Sequence, residues 1–254
     1  YIRKVKIMKL QRLLSLTRQA IDDYNMINDN DKIAVGISGG KDSLTLLYAL
    51  ANLRRFYPHP FTLEAISVDL GFGNTDYSKL YELCENLNVK LTIVDTQIYD
   101  IIFNQRKEKN PCSLCAKMRK GALNNALLEL GCNKVAYAHH KDDMIETLFM
   151  SMMYEGRLYS FPPVTHLDST NITVIRPLMY VNEADVIGFK NANNLPVIKS
   201  ACPADGHTKR EYVKQLLNQL NKDNPGIKTQ LFHAVLTANF PDWNTTCCQT
   251  AHGT

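Results

Sequence analysis

Three clusters of residues in this chain have the makings of a chemical site. The run Ser38-Gly39-Gly40-Lys41-Asp42-Ser43 places two glycines and two hydroxyls between an apolar stretch and a helical pattern. Glycine lets backbone amides come close to an anion and accepts positive φ. The amides and the partial positive charge of a helix N-terminus then face that anion. Lys41 is placed to pair with a phosphate, and Asp42 to hold a magnesium ion. The Gly-Lys-Ser spacing is not that of a Walker loop. A tight strand-to-helix turn would need only the glycines, so the two serines and the aspartate favour an anion site.

The second cluster is Cys112-Ser113-Leu114-Cys115, a C-x-x-C at the start of a helical pattern. Thiolates there are favoured by the helix dipole and by Lys117, Arg119 and Lys120. The spacing serves zinc, dithiol redox chemistry and iron–sulfur clusters alike. A thioredoxin-type motif would follow the first strand of its own fold, and this one does not. A structural zinc site wants four ligands. Cys202, in a loop between helical patterns, is the best third ligand, and no fourth cysteine has a natural place beside it. Three protein ligands leave one metal position open, which suits catalysis better than scaffolding. Cys84 and Cys132 read as core fillers, and Cys247 and Cys248 fall in a polar tail.

The third cluster is Ala138-His139-His140-Lys141-Asp142-Asp143-Met144-Ile145-Glu146-Thr147, closing a strand pattern and opening a helix. Asp142 and Asp143 at a helix start stabilise the helix whatever else they do. Two histidines and two aspartates at one strand end point beyond that structural role. Arg176, at another strand end, reads equally as a phosphate or RNA contact and as a core-edge ion pair.

The elements that must position these groups follow from periodicity. Helical patterns run over Val5 to Tyr24, Ser43 to Tyr57, Asp76 to Leu87, more weakly over Ile98 to Lys109, then Leu114 to Leu130, Asp142 to Tyr154, Asn182 to Asn193, Lys209 to Leu220 and Ile227 to Ala238. Strand patterns run over Lys32 to Ile37, Thr62 to Leu70, Lys90 to Val94, Lys134 to Ala138 and Ile172 to Ile175. Pro111 breaks the weak helix, Gly131 caps the next one in the left-handed conformation, and Arg157 to Asn171 reads as loop. Alternating strands and helices predict an α/β fold, a doubly wound, mostly parallel sheet with helices on both faces. Ligands in such sheets bind at the carboxyl ends of the strands, where Ser38, Asp69, Asp95 and His139 all fall. We expect a basic N-terminal helix over residues 1–30, an α/β domain over 31–195 that carries the anion loop and has the C-x-x-C inserted in it, and a C-terminal helical segment over 196–254 that carries Cys202.

Composition narrows the classes. The chain has 254 residues, a formal net charge of +4 and 45% hydrophobic residues, which suits one large domain with additions. No apolar run approaches the length that crosses a bilayer. Tyr1 to Arg18 carries six Lys or Arg and no acid, without a signal-peptide pattern. An organelle-targeting reading of that start is disfavoured by its unbroken run into the first strand pattern, and a first residue other than Met leaves room for a start upstream. That basic segment, with Arg106 to Lys120, suits a polyanionic partner, although charge alone fits a solvated helix face as well. Seven cysteines without a secretory signal predict a reducing, cytoplasmic compartment and no disulfide framework.

The loop Ser38 to Ser43 resembles the pyrophosphate loop of the N-type ATP pyrophosphatases. That loop, then Pro-Cys-x-x-Cys, His-His-x-Asp-Asp-x-x-Glu-Thr, Arg-Pro-Leu at Arg176 and Cys-Pro at Cys202, is similar to the tRNA 2-thiocytidine synthetases over roughly Leu10 to Leu236. Ala20 to Ile27, ahead of the first strand, belongs to the likeness. The resemblance implies ATP and Mg2+ as cofactors, with Ser38, Gly39, Gly40, Lys41, Asp42 and Ser43 on the pyrophosphate and Val68, Asp69 and Leu70 near the adenine. His139 or His140 would contact phosphate, and Asp143 would help place magnesium. Cys112, Cys115 and Cys202 would hold a 4Fe–4S cluster. Many members of that family carry a second cysteine beside the last ligand, and here Cys202 stands alone. The implied reaction adenylates C2 of a cytidine at position 32 of the tRNA anticodon loop and replaces the oxygen by sulfur, with a cysteine desulfurase or free sulfide as donor and a homodimer as one possible assembly. Two related enzymes, a lysidine synthetase and a 2-thiouridine synthetase, fit less well. The first has no use for three cysteines, and the second carries paired C-x-x-C motifs at its N-terminus, where this chain has none. A non-enzymatic nucleotide-binding or cluster-sensing module would not need both the loop and the magnesium carboxylates.

Overall fold

The computed structural model describes residues 8–73, 75–106, 111–198, 209–238, 240 and 243. Cys202, Cys247 and Cys248 lie outside the described residues, as do the basic residues before Met8. The helices are α1 (Leu10–Asp23), α2 (Lys41–Leu53), α3 (Ser78–Asn86), α4 (Pro111–Glu129), α5 (Lys141–Glu155), α6 (Glu183–Ala192), α7 (Lys209–Asp223) and α8 (Ile227–Thr237). The strands are β1 (Asp31–Ile37), β2 (Phe61–Asp69), β3 (Lys90–Asp95), β4 (Lys134–Ala136), β5 (Val164–Leu167) and β6 (Ile172–Ile175).

The strands form one sheet in the order β3-β2-β1-β4-β6-β5. All neighbours are parallel except the β5–β6 pair at the edge. The chain leaves β1 toward β2 on one side and returns to β4 on the other. The crevice between the ends of β1 and β4 is therefore the switch point at which such sheets bind ligands. Central strand β1 is apolar on both faces, as a covered parallel sheet requires. Ile33 and Val35 face the larger core with Leu44, Leu47 and Leu50 of α2. Ala34 faces a smaller core with Leu123 and Leu127 of α4. Side chains alternate across a strand, so these are the two faces of the sheet. Val213, Leu217, Phe232 and Val235 join α7 and α8 to the larger core.

At the opposite end of the sheet a buried ion pair ties β1 to β4. Lys134 Nζ lies 2.7 Å from Asp31 Oδ2 and donates to the Met26 carbonyl at 2.9 Å. Asp31 also accepts from Asn133 Nδ2 and from the Asn28 amide.

Three local expectations change. The stretch Arg157 to Asn171 contains β5, a four-residue strand at the sheet edge preceded by Pro162-Pro163 and too short to show an alternating pattern. The weak helix at Ile98 is a single π-helical turn over Asp100–Gln105. Pro111 opens α4 instead of only ending its predecessor. Proline lacks an amide hydrogen and fits the first helical position, where that hydrogen has no partner. Gly131 follows α4 with φ +66°, the left-handed cap its position predicts.

Candidate functional site

The β1–α2 turn is built by its small residues. Gly39 has φ +78°, and a Cβ placed there would stand 3.0 Å from Ile198 Cβ. Glycine is thus required by both conformation and space. Gly40 is extended and caps α2 without a side chain, which leaves the first-turn amides of the helix facing outward. The hydroxyls knit the turn together. Ser43 Oγ accepts from the Ser38 amide at 3.2 Å and donates to the Gly40 carbonyl at 3.0 Å. Ser38 Oγ accepts from the Gly40 amide at 3.3 Å.

Lys41 Nζ lies 3.0 Å from Asp42 Oδ2 and 3.2 Å from Glu183 Oε1. Burial works against the ammonium, but the two carboxylates outweigh it and its pKa is raised. Asp42 Oδ1 is buried without a hydrogen-bond partner, and its nearest cation candidate is His140 Nε2 at 3.6 Å. Asp143 Oδ2 accepts from the His140 amide at 2.9 Å. Burial raises the Asp143 pKa, and the Asp42 charge adds to that rise against His140 and Arg210. Two neighbouring carboxylates, one with a starved oxygen, fit a hard divalent cation such as Mg2+.

The two histidines take different roles. His140 is buried and caps α5, its Nδ1 accepting from the Asp143 amide in a reciprocal capping box. His139 lines the cleft and accepts at Nδ1 from Arg176 Nε at 3.2 Å. Burial, helped by Arg176, lowers its pKa to about 3, so the ring is neutral. Asp142 is structural: it accepts from the Glu183 amide at 2.8 Å and from Lys228 Nζ at 2.9 Å, tying α5 to α6 and α8. Arg176 is buried and makes no ion pair among the described residues. It donates to the Pro162 carbonyl and to Thr165 Oγ1, bracing the β5 edge.

These groups surround a cleft of about 690 Å³ at the strand ends. Ser38, Asp42 and Ser43 line one side, with His139 and Asp143 beside them. Ile66, Val68, Leu70 and Phe72 give it an apolar wall, the surface a planar base needs. Cys112, Cys115, Arg119 and Lys120 of α4 line the same space. The cysteines stand one helical turn apart, Cys112 exposed and Cys115 partly so. Asp69 lies just outside the lining and turns its carboxylate to the Gly71 amide at 2.8 Å. Cys84 and Cys132 are buried elsewhere, and burial pushes both thiols up, Cys84 to about 11. Such thiols are poor ligands. Among the described residues no three of His, Cys, Asp and Glu gather as a metal set. Two of the three sequence-predicted cluster ligands are described, and both fit: they stand one helical turn apart on the cleft wall, Cys112 exposed and Cys115 partly so.

Sequence reasoning missed the contribution of α7 and α6. Arg210 Nη1 lies 3.2 Å from Glu146 Oε2 and 3.8 Å from Asp143 Oδ1, and Lys214 Nζ lies 2.7 Å from Glu183 Oε1. Glu146 stood in the His-His motif, but no spacing rule links it to a basic residue sixty-four positions on.

Residues 8–220 match the family model for the PP-loop domain. The tRNA-cytidine(32) 2-sulfurtransferase of Geobacter sulfurreducens is 36% identical, over 90% of this chain and 90% of its own length. That of Aliivibrio fischeri is 39% identical, over 93% of this chain and 79% of its own length. The chain belongs to the tRNA-cytidine(32) 2-sulfurtransferase family of PP-loop proteins. Among solved structures, the U34-tRNA thiolase of Methanococcus maripaludis with its 4Fe–4S cluster superposes with a TM-score of 0.71 at 25% identity, over 87% of this chain and 76% of that one. The NH3-dependent NAD synthetase of Campylobacter jejuni, at 17% identity and a TM-score of 0.51, covers 90% of this chain and 92% of its own and shares the fold. The PP-loop match runs into α7 and so takes in Arg210 and Lys214 along with the loop, His139, Asp143 and the C-x-x-C.

Proposed function

We propose that this protein is an ATP-dependent tRNA thiolase that converts cytidine 32 of the anticodon loop to 2-thiocytidine. The observation that carries this reading is the shared cleft: the anion-binding turn, the two carboxylates and the C-x-x-C all open into one space. The α2 amides and Lys41 bind the pyrophosphate part of ATP, with Ser38, Gly39, Gly40 and Ser43 shaping the cradle. Val68 and Leu70 pack on the adenine, with Asp69 beyond them. Asp42 and Asp143 hold Mg2+, which neutralises charge on the phosphates when bound.

The C2 oxygen of the cytidine attacks the α-phosphorus, pyrophosphate leaves, and the turn amides and Lys41 absorb the charge developing on it. Sulfur at the sulfide level then bonds to C2, and AMP departs with the oxygen. A 4Fe–4S cluster on Cys112, Cys115 and Cys202 supplies, when bound, a vacant coordination position for the incoming sulfur. Arg119 and Lys120, on the cleft wall, contact the phosphates flanking a splayed-out base. Free sulfide supplies sulfur at that level directly, and a cysteine desulfurase supplies it as a persulfide that two electrons from a thiol reductant bring down to sulfide. The enzyme acts in the cytoplasm, where such thiols stay reduced, and we expect a homodimer. Among the described residues no helix is long and apolar enough to cross a membrane.

The test is mass spectrometry of tRNA nucleosides from cells lacking this protein and from the same cells with it restored. Restoration should return 2-thiocytidine. A return of 2-thiouridine or lysidine instead would replace the reading by one of its relatives.

A further inference from the structure

His139 stands at the end of β4 with its ring held from three sides. Its Nδ1 faces Arg176 Nε at 3.2 Å. Phe161 lies against one face at 4.5 Å and 33°, and Tyr137 meets the ring edge-on at 5.9 Å and 71°. Arg176 is itself fixed. It is 8% exposed, donates to the Pro162 carbonyl at 2.6 Å and to Thr165 Oγ1 at 3.1 Å, and lies 4.9 Å over the Phe161 ring. A guanidinium has five N–H donors and no acceptor. The ring nitrogen facing it must present a lone pair, and the proton of a neutral imidazole then sits on the other nitrogen. That nitrogen, Nε2, has no partner among the described residues, and His139 lines the cleft.

We propose that Arg176 is a positioning residue that locks His139 in the Nε2–H tautomer, so that His139 donates a hydrogen bond to a phosphate oxygen of ATP and takes no proton from the substrate. This rests on reading the cleft as the ATP site and assigns the direction of one bond within it. The titratable and charged groups around His139 are Tyr137 at its own strand end, His140 beside it, Arg176 after β6 and Arg210 on α7. Burial comes first, and Arg176, Arg210 and His140 add to it in disfavouring a second proton. A base at this position would need the Nε2 lone pair, which this tautomer removes. A fixed neutral donor instead gains strength as negative charge grows on the phosphate oxygen it faces.

Two measurements test the proposal. Long-range 1H–15N spectra of the full-length protein labelled in histidine, with His139 assigned from the His139→Gln spectrum, read the tautomer directly. We expect Nε2 protonated and Nδ1 unprotonated, unchanged over the range of about pH 5 to 8 where ordinary histidines titrate. In Arg176→Met the ring should lose that single form. An Nδ1–H ring, or one that titrates in that range, overturns the proposal. In the second arm, His139→Gln, whose amide nitrogen reaches the place of Nε2–H, should keep kcat within about tenfold, and His139→Ala should lose roughly a hundredfold. Equal loss in both overturns the donor role. The spectra need neither ATP nor tRNA, so a failed tautomer assignment and a failed thiolase reading are told apart.

Discussion

The Gly39 carbonyl accepts a hydrogen bond from the Ile198 amide at 2.9 Å, so the phosphate turn is bonded to the residue that follows Val197 after α6. A side chain at position 39 would meet the left-handed backbone, at about 1–2 kcal/mol, and a 3.0 Å contact with Ile198 Cβ. Gly39→Ala should therefore lower stability by about 2 kcal/mol and weaken ATP binding at least about tenfold. Urea denaturation and calorimetric titration with ATP check the two halves. A variant that binds ATP normally would separate the Gly39–Ile198 link from the anion site.

The Lys134–Asp31 pair closes the far end of the same two strands that open onto the cleft. Both side chains are nearly buried, at 9% and 5% exposure. Truncating one partner strands the other charge, so Lys134→Met should cost about 3 kcal/mol or more in urea denaturation. Asp31 keeps its bonds from Asn133 and the Asn28 amide, and the double variant with Asp31→Asn should recover part of the loss. No recovery would show that the pair is not coupled.

Much of this architecture is legible in the sequence, because β1 and β2 are short apolar runs and α2 and α5 longer apolar-rich segments, with glycine, proline and acidic punctuation at their ends. The carboxyl-end location of Ser38 and His139 follows from the same pattern. What escaped has physical reasons. β5 is too short to show a period, and the helix at Ile98 condensed to one π-helical turn. The electrostatic frame made by Glu183, Arg210, Lys214 and Lys228 depends on how α7 and α8 pack onto α5 and α6 onto α2, which no local spacing encodes. The distinct fates of His139 and His140 were likewise hidden, since neighbours in sequence differ here only in which way each ring turns.

Asp143 offers a test of how far function sets this frame. Its pKa is raised chiefly by burial, so the folded state binds a proton there more readily than the unfolded chain does. That group lowers stability fully above its raised pKa, and the penalty disappears as pH falls through it toward and below the ordinary carboxylate value. Asp143→Asn keeps an acceptor for the His140 amide and removes the buried charge. Without nucleotide it should melt higher than the parent near neutral pH, with the gain vanishing in acid. Its kcat should fall at least about a hundredfold, and Mg2+ with ATP should stabilise it less than the parent. A variant that melts lower at neutral pH would show that the Asp143 charge is fully compensated by Arg210.

Cysteine accessibility separates ligands from fillers without reference to the reaction. Cys112 is exposed on the cleft wall, and Cys84 is 1% exposed between α3 and the sheet. Cys112→Ser removes no packing, so its apo stability should stay within about 0.5 kcal/mol of the parent, while the broad visible absorption of anaerobically purified protein and all thiolation disappear. Cys84→Ala leaves a small core void and should lose about 1 kcal/mol but keep the absorption. Cys115→Ser should follow Cys112→Ser, since both thiols face one cleft from one helical turn. Full thiolation by Cys112→Ser would remove the C-x-x-C from the chemistry, and loss of absorption in Cys84→Ala at preserved fold would mean that the cluster is held by a thiol the cleft does not contain.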